Sequence, residues 1–322
     1  MSSQRPNVGL ESIHRDIQKV ESILHGILRR MDEPARSMLK TPLEGGKRLR
    51  PALVVLCGRL HKIPGRKMHI LAAAVEVLHS ATLIHDDLVD KAYLRRGRKT
   101  IQAVWPVGAT VLAGDCLLAQ SVCLVAQLQN PAVLSILAET LCTMSAGEIG
   151  YHYAQRDRKK RKVYFESIIA KTASLFAGAM EMIGVLAGVE RIKARYLSEF
   201  GHEFGIAYQI IDDVLDFTGD ERRLGKPAGS DLARGVITLP VICYLELGND
   251  AAVIDKILSG RGAPEEIKTT IEMVRKSGAI DDALEEARMH AMKSKAALAH
   301  LHEGKARQAL CRLVDHIVAR GE

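Results

Sequence analysis

The chain has 322 residues, of which 47% are hydrophobic, 26% are charged and only 4% are aromatic, and its formal net charge is +7. A chain of this length and apolar content can bury a large core, which excludes a disordered tail protein, a collagen-like chain and a small disulfide scaffold. Because strands favour aromatic and β-branched side chains, the scarcity of aromatic residues favours an all-α fold.

The order of apolar and polar residues predicts helices along the whole chain. Apolar residues recur every three or four positions over residues 10–39, which predicts a first amphipathic helix there. A polar break with two glycines at residues 41–47 ends it, and Pro51 suits the first turn of a second helix that reaches about residue 60. Further helices are predicted over residues 67–88, 103–128, 131–153, 163–187, 192–217, 239–247, 251–258, 264–277 and 280–301, and after Lys305.

Two features bear on the cellular compartment. The six cysteines are scattered without a CxxC pair and mostly lie in apolar stretches, which predicts reduced core thiols in a cytoplasmic protein. The first residues lack the apolar segment of a secretory signal. The most apolar stretch, residues 103–128, contains Pro106 and Asp115 and predicts a buried core helix rather than a membrane span.

One short pattern occurs twice: DDxxD at residues 86–90 and again at residues 212–216, each time at the end of a strongly apolar run. Because side chains four apart share a helix face, the first and last aspartates of each pattern point the same way. Three like charges within five residues repel one another, so a cation is expected to offset them. Oxygen ligands favour Mg²⁺, which typically bridges carboxylates to substrate phosphates.

Cationic groups lie close in sequence to both clusters. Residues 95–99 are Arg-Arg-Gly-Arg-Lys, residues 45–51 form a cationic loop with two glycines, and Lys226 follows the second cluster between a glycine and a proline. Each group alone is typical of a solvated surface, but their position beside two acidic clusters favours phosphate binding, because arginine binds phosphate oxygens two at a time. The pattern therefore predicts two polyphosphate ligands bound together.

At five separated places the sequence resembles the trans-isoprenyl diphosphate synthases, also called polyprenyl synthetases. The matching motifs, which follow the order and spacing of that family, are GGKRLRP (45–51), HSATLIHDDLVDKAYLRRG (79–97), KTASLF (171–176), YQIIDDVLDFTGD (208–220) and GKPAGSDL (225–232). The resemblance implies an all-α fold, a helical bundle around a central cavity, in a single domain over residues 1–322. It also implies a homodimeric prenyltransferase that uses Mg²⁺ to join isopentenyl diphosphate head-to-tail to an allylic diphosphate.

The resemblance also implies a role for each matching residue. The isopentenyl diphosphate ligands are expected to be Lys47, Arg50, His79 and Arg96. The allylic diphosphate ligands are expected to be Arg95, Lys171, Thr172, Gln209 and Lys226. Direct Mg²⁺ ligands are expected to be Asp86, Asp90 and Asp212, with Asp87, Asp213 and Asp216 as supporting or additional ligands. The six aspartates with Lys171 and Lys226 form the predicted catalytic set, and electrostatic stabilisation of the leaving diphosphate is the main catalytic effect.

One position departs from the family pattern. The family usually has a lysine after the glycine of a late GKxTLP segment, and this chain has Val236 there. The allylic diphosphate therefore loses one expected cation, which Arg234 could replace, and we hypothesise that Val236→Lys tightens starter binding.

Residues just before the first cluster bear on product length. The growing tail must run from that cluster between the helices, so residues one and two turns before Asp86 are expected to line its path. Thr82 and Ala81 are small where a short-chain enzyme of the family often has a bulky aromatic residue. Leu78 lies one turn deeper and does not decide where the path of the tail ends. Because one helical turn rises about 5.4 Å, near the length of one isoprene unit, we predict a product longer than about C15, from C20 to about C40.

Three other classes of protein share some of these sequence features. A class I terpene cyclase would share the first cluster, but its second metal motif normally combines Asn or Asp, Ser or Thr, and Glu. A non-catalytic subunit of a heteromeric synthase typically loses an aspartate cluster, and both are intact here. Nucleic-acid binding is disfavoured because the charge is spread over a long chain with few aromatic residues, so the basic residues 156–162 are interpreted as a solvated loop or as attracted to anionic lipid. Transient contact with a membrane surface is a further prediction.

Overall fold

The computed structural model describes residues 10–95, 97–153, 159–219 and 228–321. Helices dominate these ranges, which confirms the predicted all-α class. They are α1 (His14–Arg29), α2 (Ala35–Leu43), α3 (Leu49–Leu60), α4 (Gly65–Val89), α5 (Val107–Ala126), α6 (Pro131–Tyr153), α7 (Arg161–Ile168), α8 (Ser174–Ala187), α9 (Arg191–Thr218), α10 (Ser230–Ala233), α11 (Leu239–Glu246), α12 (Ala252–Leu258), α13 (Pro264–Lys276), α14 (Ala279–Ala299) and α15 (Lys305–Val318).

Strand structure in the described ranges is confined to one small hairpin that periodicity did not predict. Its strands, β1 (Leu94–Arg95) and β2 (Arg98–Lys99), pair antiparallel across a turn in which Gly97 has a φ of +72°. Glycine adopts this left-handed conformation without steric strain. The hairpin begins at Leu94, shortly after the first aspartate cluster, and its strands carry the cationic residues Arg95, Arg98 and Lys99.

The prediction of one helix over residues 10–39 is wrong. A 3₁₀ turn over Leu10–Ile13 leads into α1, which ends at Arg29, and α2 begins only at Ala35. Pro34 lies directly before α2; its ring has no amide hydrogen, and it disfavours helical backbone at the residue before it. The apolar spacing continues across the break, which is why periodicity alone joined the two helices.

The internal packing of the chain groups its residues into two compact units, and the single domain over residues 1–322 stays a prediction. Unit 1 comprises residues 1–139, 178–198 and 298–313. Unit 2 comprises residues 140–177, 199–297 and 314–322.

Helix α4 is the centre of unit 1. Its middle turns, residues 71–78, are buried on all sides and apolar except for Glu76, as expected for a helix surrounded by others. Helix α5 packs closely on it: the hydroxyl of Ser121 donates to the carbonyl of Ala74 at 2.9 Å, and a Cβ at Gly114 would come within 2.1 Å of the His85 ring. The first aspartate cluster therefore lies at the end of a helix that is held firmly along its length.

Helix α9 has the corresponding position in unit 2. Its residues Ile210, Ile211, Val214 and Phe217 are fully buried in a core that α11, α12 and α14 complete. The second aspartate cluster alternates with these apolar residues, so two of its three carboxylates are carried into the core with them.

The prediction that residues 103–128 form a buried core helix is also wrong in part. Helix α5 starts after Pro106, and one of its sides is exposed, with Leu112 69% accessible. Within the described ranges, four stretches are long and apolar enough to cross a membrane, by length and composition alone: Gly65–Val89, Val107–Ala126, Pro131–Tyr151 and Arg161–Ala187. Their most apolar windows are 72%, 39%, 22% and 61% buried, respectively, so α5 and α6 expose the most apolar surface of the four.

Candidate active site

The first aspartate cluster continues the last turn of α4. The amide of Asp90 donates to the carbonyl of Asp86 at 2.8 Å, so helical geometry extends through the cluster. Asp87 is buried, Asp86 is half-buried and Asp90 is exposed. The two outer carboxylates are therefore accessible to a ligand, and the middle one points into unit 1.

The buried middle carboxylate holds a cationic residue of the hairpin. Nε of Arg95 donates to Oδ1 of Asp87 at 2.7 Å, and the amide of Gln102 donates to the carbonyls of Asp87 and Ala92. The structure thus brings Arg95, predicted to bind the allylic diphosphate, beside the first cluster. Arg96, predicted to bind isopentenyl diphosphate, lies outside the described residues.

The glycine loop before α3 exposes a lysine. Gly45 and Gly46 have φ values of +86° and +89°, which glycine adopts without strain. Lys47 is exposed and Arg50 is half-buried in the first turn of α3. His79 is half-buried on α4, seven residues before Asp86, which corresponds to about 10 Å along the helix axis. Unit 1 therefore contains all the described residues predicted to bind isopentenyl diphosphate.

Arg48 has a different function from its neighbours in the same loop. It is 8% exposed, and its guanidinium donates to Glu21 at 2.7 Å, to Glu76 at 2.8 Å and to the carbonyl of Leu43 at 2.6 Å. Burial alone disfavours its charged form, but the two carboxylates outweigh that effect and raise the pKa of Arg48. Arg48 therefore connects the glycine loop to α1 and α4 through these two ion pairs.

In the second cluster, the middle carboxylate accepts hydrogen bonds from two polar side chains. The hydroxyl of Tyr164 donates to Oδ2 of Asp213 at 2.7 Å, and the amide of Gln209 donates to Oδ1 at 2.9 Å. The amide oxygen of Gln209 in turn accepts from the hydroxyl of Thr172 at 2.8 Å. The structure thus joins three residues that the sequence placed in the site, Thr172, Gln209 and Asp213, in one hydrogen-bonded chain.

The environment of Asp213 favours its neutral form. Its complete burial and the nearby charge of Asp231 raise the pKa of the carboxyl to about 8, although the hydrogen bonds from Tyr164 and Gln209 act in the opposite direction. The same surroundings, burial first and then the Asp213 charge, raise the pKa of Tyr164 well above its ordinary value. Asp213 can therefore take up or release a proton near neutral pH.

The third carboxylate of this cluster holds the segment that follows. Asp216 is 1% exposed, and it accepts from the hydroxyl of Ser230 at 2.8 Å and from the amide of Asp231 at 3.0 Å. Its backbone carbonyl accepts from the amide of Gly229 at 2.7 Å. Asp216 therefore fixes the start of α10. Lys226, a predicted ligand, lies outside the described residues.

Asp212 is the most accessible carboxylate of the second cluster. Its side chain is 37% exposed, and its Oδ1 accepts from the guanidinium of Arg320 at 3.2 Å. The same guanidinium lies 5.9 Å from the centre of the Tyr208 ring. Arg320 thus balances the charge of the carboxylate that the sequence predicts as a direct metal ligand.

Lys171 lies in a π-helical turn, Ile169–Ala173, between α7 and α8. Such turns are rare and are frequent at functional sites. The ammonium group of Lys171 is 3.0 Å from the carboxylate of Glu148. Val236, the departure from the family pattern, is half-buried, and nearby Arg234 donates to Asp231 at 2.6 Å.

Sequence reasoning assigned no role to several residues that contact the predicted site: Glu148, Tyr164, Ser230, Asp231 and Arg320. Ser230 and Asp231 belong to the GKPAGSDL motif, and Tyr164 precedes Lys171 by about two turns. A contact between these three residues and the site could therefore have been predicted from their positions in the sequence. Arg320 is 108 residues from Asp212, and no local pattern connects them.

The donor set fits Mg²⁺. Within the described ranges, no three His, Cys, Asp or Glu side chains converge closely enough to hold a metal ion by themselves. Mg²⁺ usually keeps several waters and binds one or two carboxylates together with substrate phosphates. In unit 1, Asp86 and Asp90 supply oxygen ligands and stay partly or fully accessible, which matches that requirement; in unit 2, the partly accessible Asp212 does the same.

The polyprenyl synthetase family model matches residues 32–274. Heptaprenyl diphosphate synthase component 2 of Bacillus subtilis is 33% identical over 314 residues, which are 96% of this chain and 89% of that protein. Octaprenyl diphosphate synthase of Haemophilus influenzae is 35% identical over 272 residues, or 84% and 83% of the two chains. The crystal structure of a polyprenyl synthase from Caulobacter crescentus, complexed with calcium and isoprenyl diphosphate, superposes with a TM-score of 0.90 at 33% identity and covers 99% of both chains.

The chain therefore belongs to the polyprenyl synthetase family. It is a prenyltransferase, a trans-polyprenyl diphosphate synthase of the long-chain type.

Proposed function

We propose that the chain condenses isopentenyl diphosphate head-to-tail onto an allylic diphosphate, and that repeated additions give an all-trans product from C20 to about C40. The observation that carries this proposal is the shared design of the two clusters. In each, the middle aspartate is buried and hydrogen-bonded, and the first, Asp86 or Asp212, stays partly accessible. The names of the relatives, heptaprenyl and octaprenyl synthases, support a long product.

Mg²⁺ is the proposed cofactor, with Asp86 and Asp90 as its proposed ligands in unit 1 and Asp212 as a proposed ligand in unit 2. When bound, it supplies positive charge that stabilises the departing diphosphate. The buried aspartates support these ligands: Asp87 orients Arg95, and Asp216 fixes the start of α10.

The cationic side chains bind the two diphosphates, and the carbon atoms that form the new bond all belong to the substrates. Lys47, Arg50, His79 and Arg96 are the proposed ligands of isopentenyl diphosphate. Arg95, Lys171, Thr172, Gln209 and Lys226 are the proposed ligands of the allylic diphosphate. Because Lys171 pairs with Glu148 at 3.0 Å, it must exchange that carboxylate for a phosphate when the starter binds. Cleavage of the allylic C–O bond then leaves a cation that the alkene of the second substrate attacks, and the released diphosphate takes the proton.

The proposed protein is a homodimer in the cytoplasm. The exposed apolar faces of α5 and α6 support the homodimer. Leu112 on α5 is 69% accessible and Ile149 on α6 is 60% accessible. Apolar patches of this kind mark interaction surfaces. All six cysteines lie in the described ranges with free thiols, which suits a reducing compartment.

A heteromeric synthase is the second candidate, because one relative carries the name component 2. A partner chain of a different sequence could then cover the same faces of α5 and α6. The isolated chain would be inactive in that case.

One incubation tests the proposed activity. The pure chain is mixed with Mg²⁺, labelled isopentenyl diphosphate and a C10, C15 or C20 allylic diphosphate, and the products are separated by length. A single all-trans product longer than the C15 species supports the proposal. Failure to elongate any starter favours the heteromeric subunit, and cyclised hydrocarbon favours a terpene cyclase.

The oligomeric state has its own test with a matched control. Leu112→Arg places a charge on the exposed face of α5, and Met292→Arg does the same at a 61% accessible methionine of α14. Sedimentation equilibrium is expected to show a dimer for the wild type and Met292→Arg, and a monomer for Leu112→Arg. A wild-type monomer, or a Leu112→Arg variant that stays dimeric, would argue against this interface.

A further inference from the structure

Helix α1 presents an almost entirely basic outer surface, because its acidic side chains are used inward. Asp16 accepts from Arg59 at 2.7 Å and lies 2.7 Å from the His69 ring nitrogen. Glu21, the other acidic residue of α1, binds the buried guanidinium of Arg48. The charge of both carboxylates is thus balanced on the inner side of the helix.

The outer surface carries cations near both ends of α1 and on α2. Arg15, Lys19 and Arg29 are all exposed on α1, and Arg36 and Lys40 are exposed on α2. We call these five residues the basic face. Arg15 and Arg29 are 14 residues apart, which corresponds to about 21 Å along the helix axis. A row of that length is much longer than a single phosphate ion.

A groove of about 460 Å³ runs between α1 and α2. Its polar lining comprises Ser22, His25, Arg29, Arg36, Lys40 and Glu44. The guanidinium of Arg36 is fixed there, because it donates to the carbonyl of Met31 at 3.0 Å (Nε) and 2.6 Å (Nη2). Glu44 is the acidic member of the lining, and Asp32 and Glu33 are exposed in the connection between the helices, so these three acids are outnumbered by the five cations of the basic face.

We propose that the basic face docks on a membrane surface that contains anionic phospholipids, with a lipid phosphate in the groove. A long row of cations beside a groove that admits one headgroup fits a charged surface better than a soluble ion. The biological purpose rests on the proposed function, since a long polyprenyl chain must leave the enzyme into an apolar phase. The docking itself needs neither substrate nor catalysis.

The test is sedimentation of the full chain, without substrates, with vesicles of phosphatidylcholine alone or mixed with phosphatidylglycerol. The variant Arg29→Gln/Lys40→Gln removes two charges from the basic face and leaves the proposed active site unchanged. The control Lys268→Gln/Lys276→Gln removes two charges from exposed positions on α13. Wild type and control are expected to bind only the mixed vesicles, and the basic-face variant is expected to bind them about 30-fold more weakly.

Equal binding to both vesicle types, or equal binding by the basic-face variant and the control, would overturn the proposal. Circular dichroism spectra that match the wild type exclude a folding defect, and Arg29→Lys is expected to retain binding. Inorganic phosphate that displaces the chain more strongly than chloride at the same ionic strength would overturn it in favour of a small-anion pocket. A long product without vesicle binding refutes only this inference, and vesicle binding by a chain that makes no long product refutes only the proposed function.

Discussion

The hydroxyl of Tyr164 and the carboxylate of Asp213 form a hydrogen bond of 2.7 Å in the buried part of unit 2. Tyr164 is on α7 and Asp213 is on α9, so this bond connects the helix before the π-helical turn with the helix of the second cluster. Both groups are almost inaccessible to water, which makes each dependent on the other for hydrogen bonding.

Replacing Tyr164 with phenylalanine is expected to lower the free energy of unfolding by about 1–3 kcal/mol, because a buried carboxyl loses a donor. Tyr244→Phe is the matched control, since the buried Tyr244 hydroxyl has no hydrogen-bond partner among the described residues. Urea denaturation at neutral pH measures both. An equal effect of the two substitutions would show that the Tyr164 hydrogen bond contributes nothing specific.

Asp213 gives the chain a predictable dependence of stability on pH. Its pKa is about 8 in the folded chain and about 3.9 when unfolded, so the folded state keeps a proton that the unfolded state releases. Without metal, the free energy of unfolding should therefore fall as the pH rises from about 4 to about 8, and then stay level with respect to this group.

Asp213→Asn is expected to remove that part of the pH dependence. In EDTA at a pH above about 8, the variant should be more stable than the wild type by about 1–3 kcal/mol, and near pH 5 the advantage should vanish. Asp32→Asn, at an exposed position between α1 and α2, should keep the wild-type profile. Parallel curves for Asp213→Asn and wild type would contradict the raised pKa.

Arg320 is expected to compete with Mg²⁺ for Asp212. Removing its guanidinium leaves a more negative potential at Asp212, so Arg320→Ala should lower the Mg²⁺ concentration at half-saturation by about two- to fivefold. Arg320→Lys keeps the charge and should behave as the wild type. The thermal unfolding midpoint, followed during a Mg²⁺ titration with inorganic diphosphate present, gives the half-saturation value. Weaker Mg²⁺ binding by Arg320→Ala would mean that Arg320 supports the bound diphosphate instead.

Much of the site was predictable because its residues are close in sequence and alternate regularly. The apolar runs before each cluster predicted two buried helices with carboxylates at their ends, and α4 and α9 have that form. The role of Arg48 was not predictable, because its partner Glu76 is 28 residues away on another helix. The break at Pro34 could have been predicted from proline alone, but a regular apolar spacing concealed it.

The exposed side of α5 was not predictable from its sequence alone. A helix side that packs in the core and a helix side that forms an apolar interaction surface have the same composition. Only the packing of α4 against one side of α5 shows which side is buried and which is exposed. The sequence also did not indicate that Arg95, predicted as a diphosphate ligand, donates to the buried Asp87.

Val236→Lys tests the departure from the family pattern. Val236 is half-buried and its amide donates to the carbonyl of Asp231 at 2.9 Å, so a longer side chain can extend from this turn without loss of the backbone bond. The added cation is expected to lower the KM for the allylic starter by about tenfold, equivalent to about 1.4 kcal/mol. Val236→Met matches its length without the charge and should leave KM near the wild-type value. An unchanged KM for Val236→Lys would refute the hypothesis.

Thr82→Phe tests the proposed path of the product. Thr82 is half-buried one turn before Asp86, and its hydroxyl donates to the carbonyl of His79 at 2.9 Å, while Ala81 and Leu78 beside it are buried. A phenyl ring there should block the tail after about one more isoprene unit, because one turn rises about 5.4 Å, so chromatography should show a shorter main product at a similar rate of first condensation. Thr269→Phe is the control, since the exposed Thr269 on α13 makes the same kind of bond to the carbonyl of Glu265. An unchanged product distribution for Thr82→Phe would mean that the tail does not pass this face of α4.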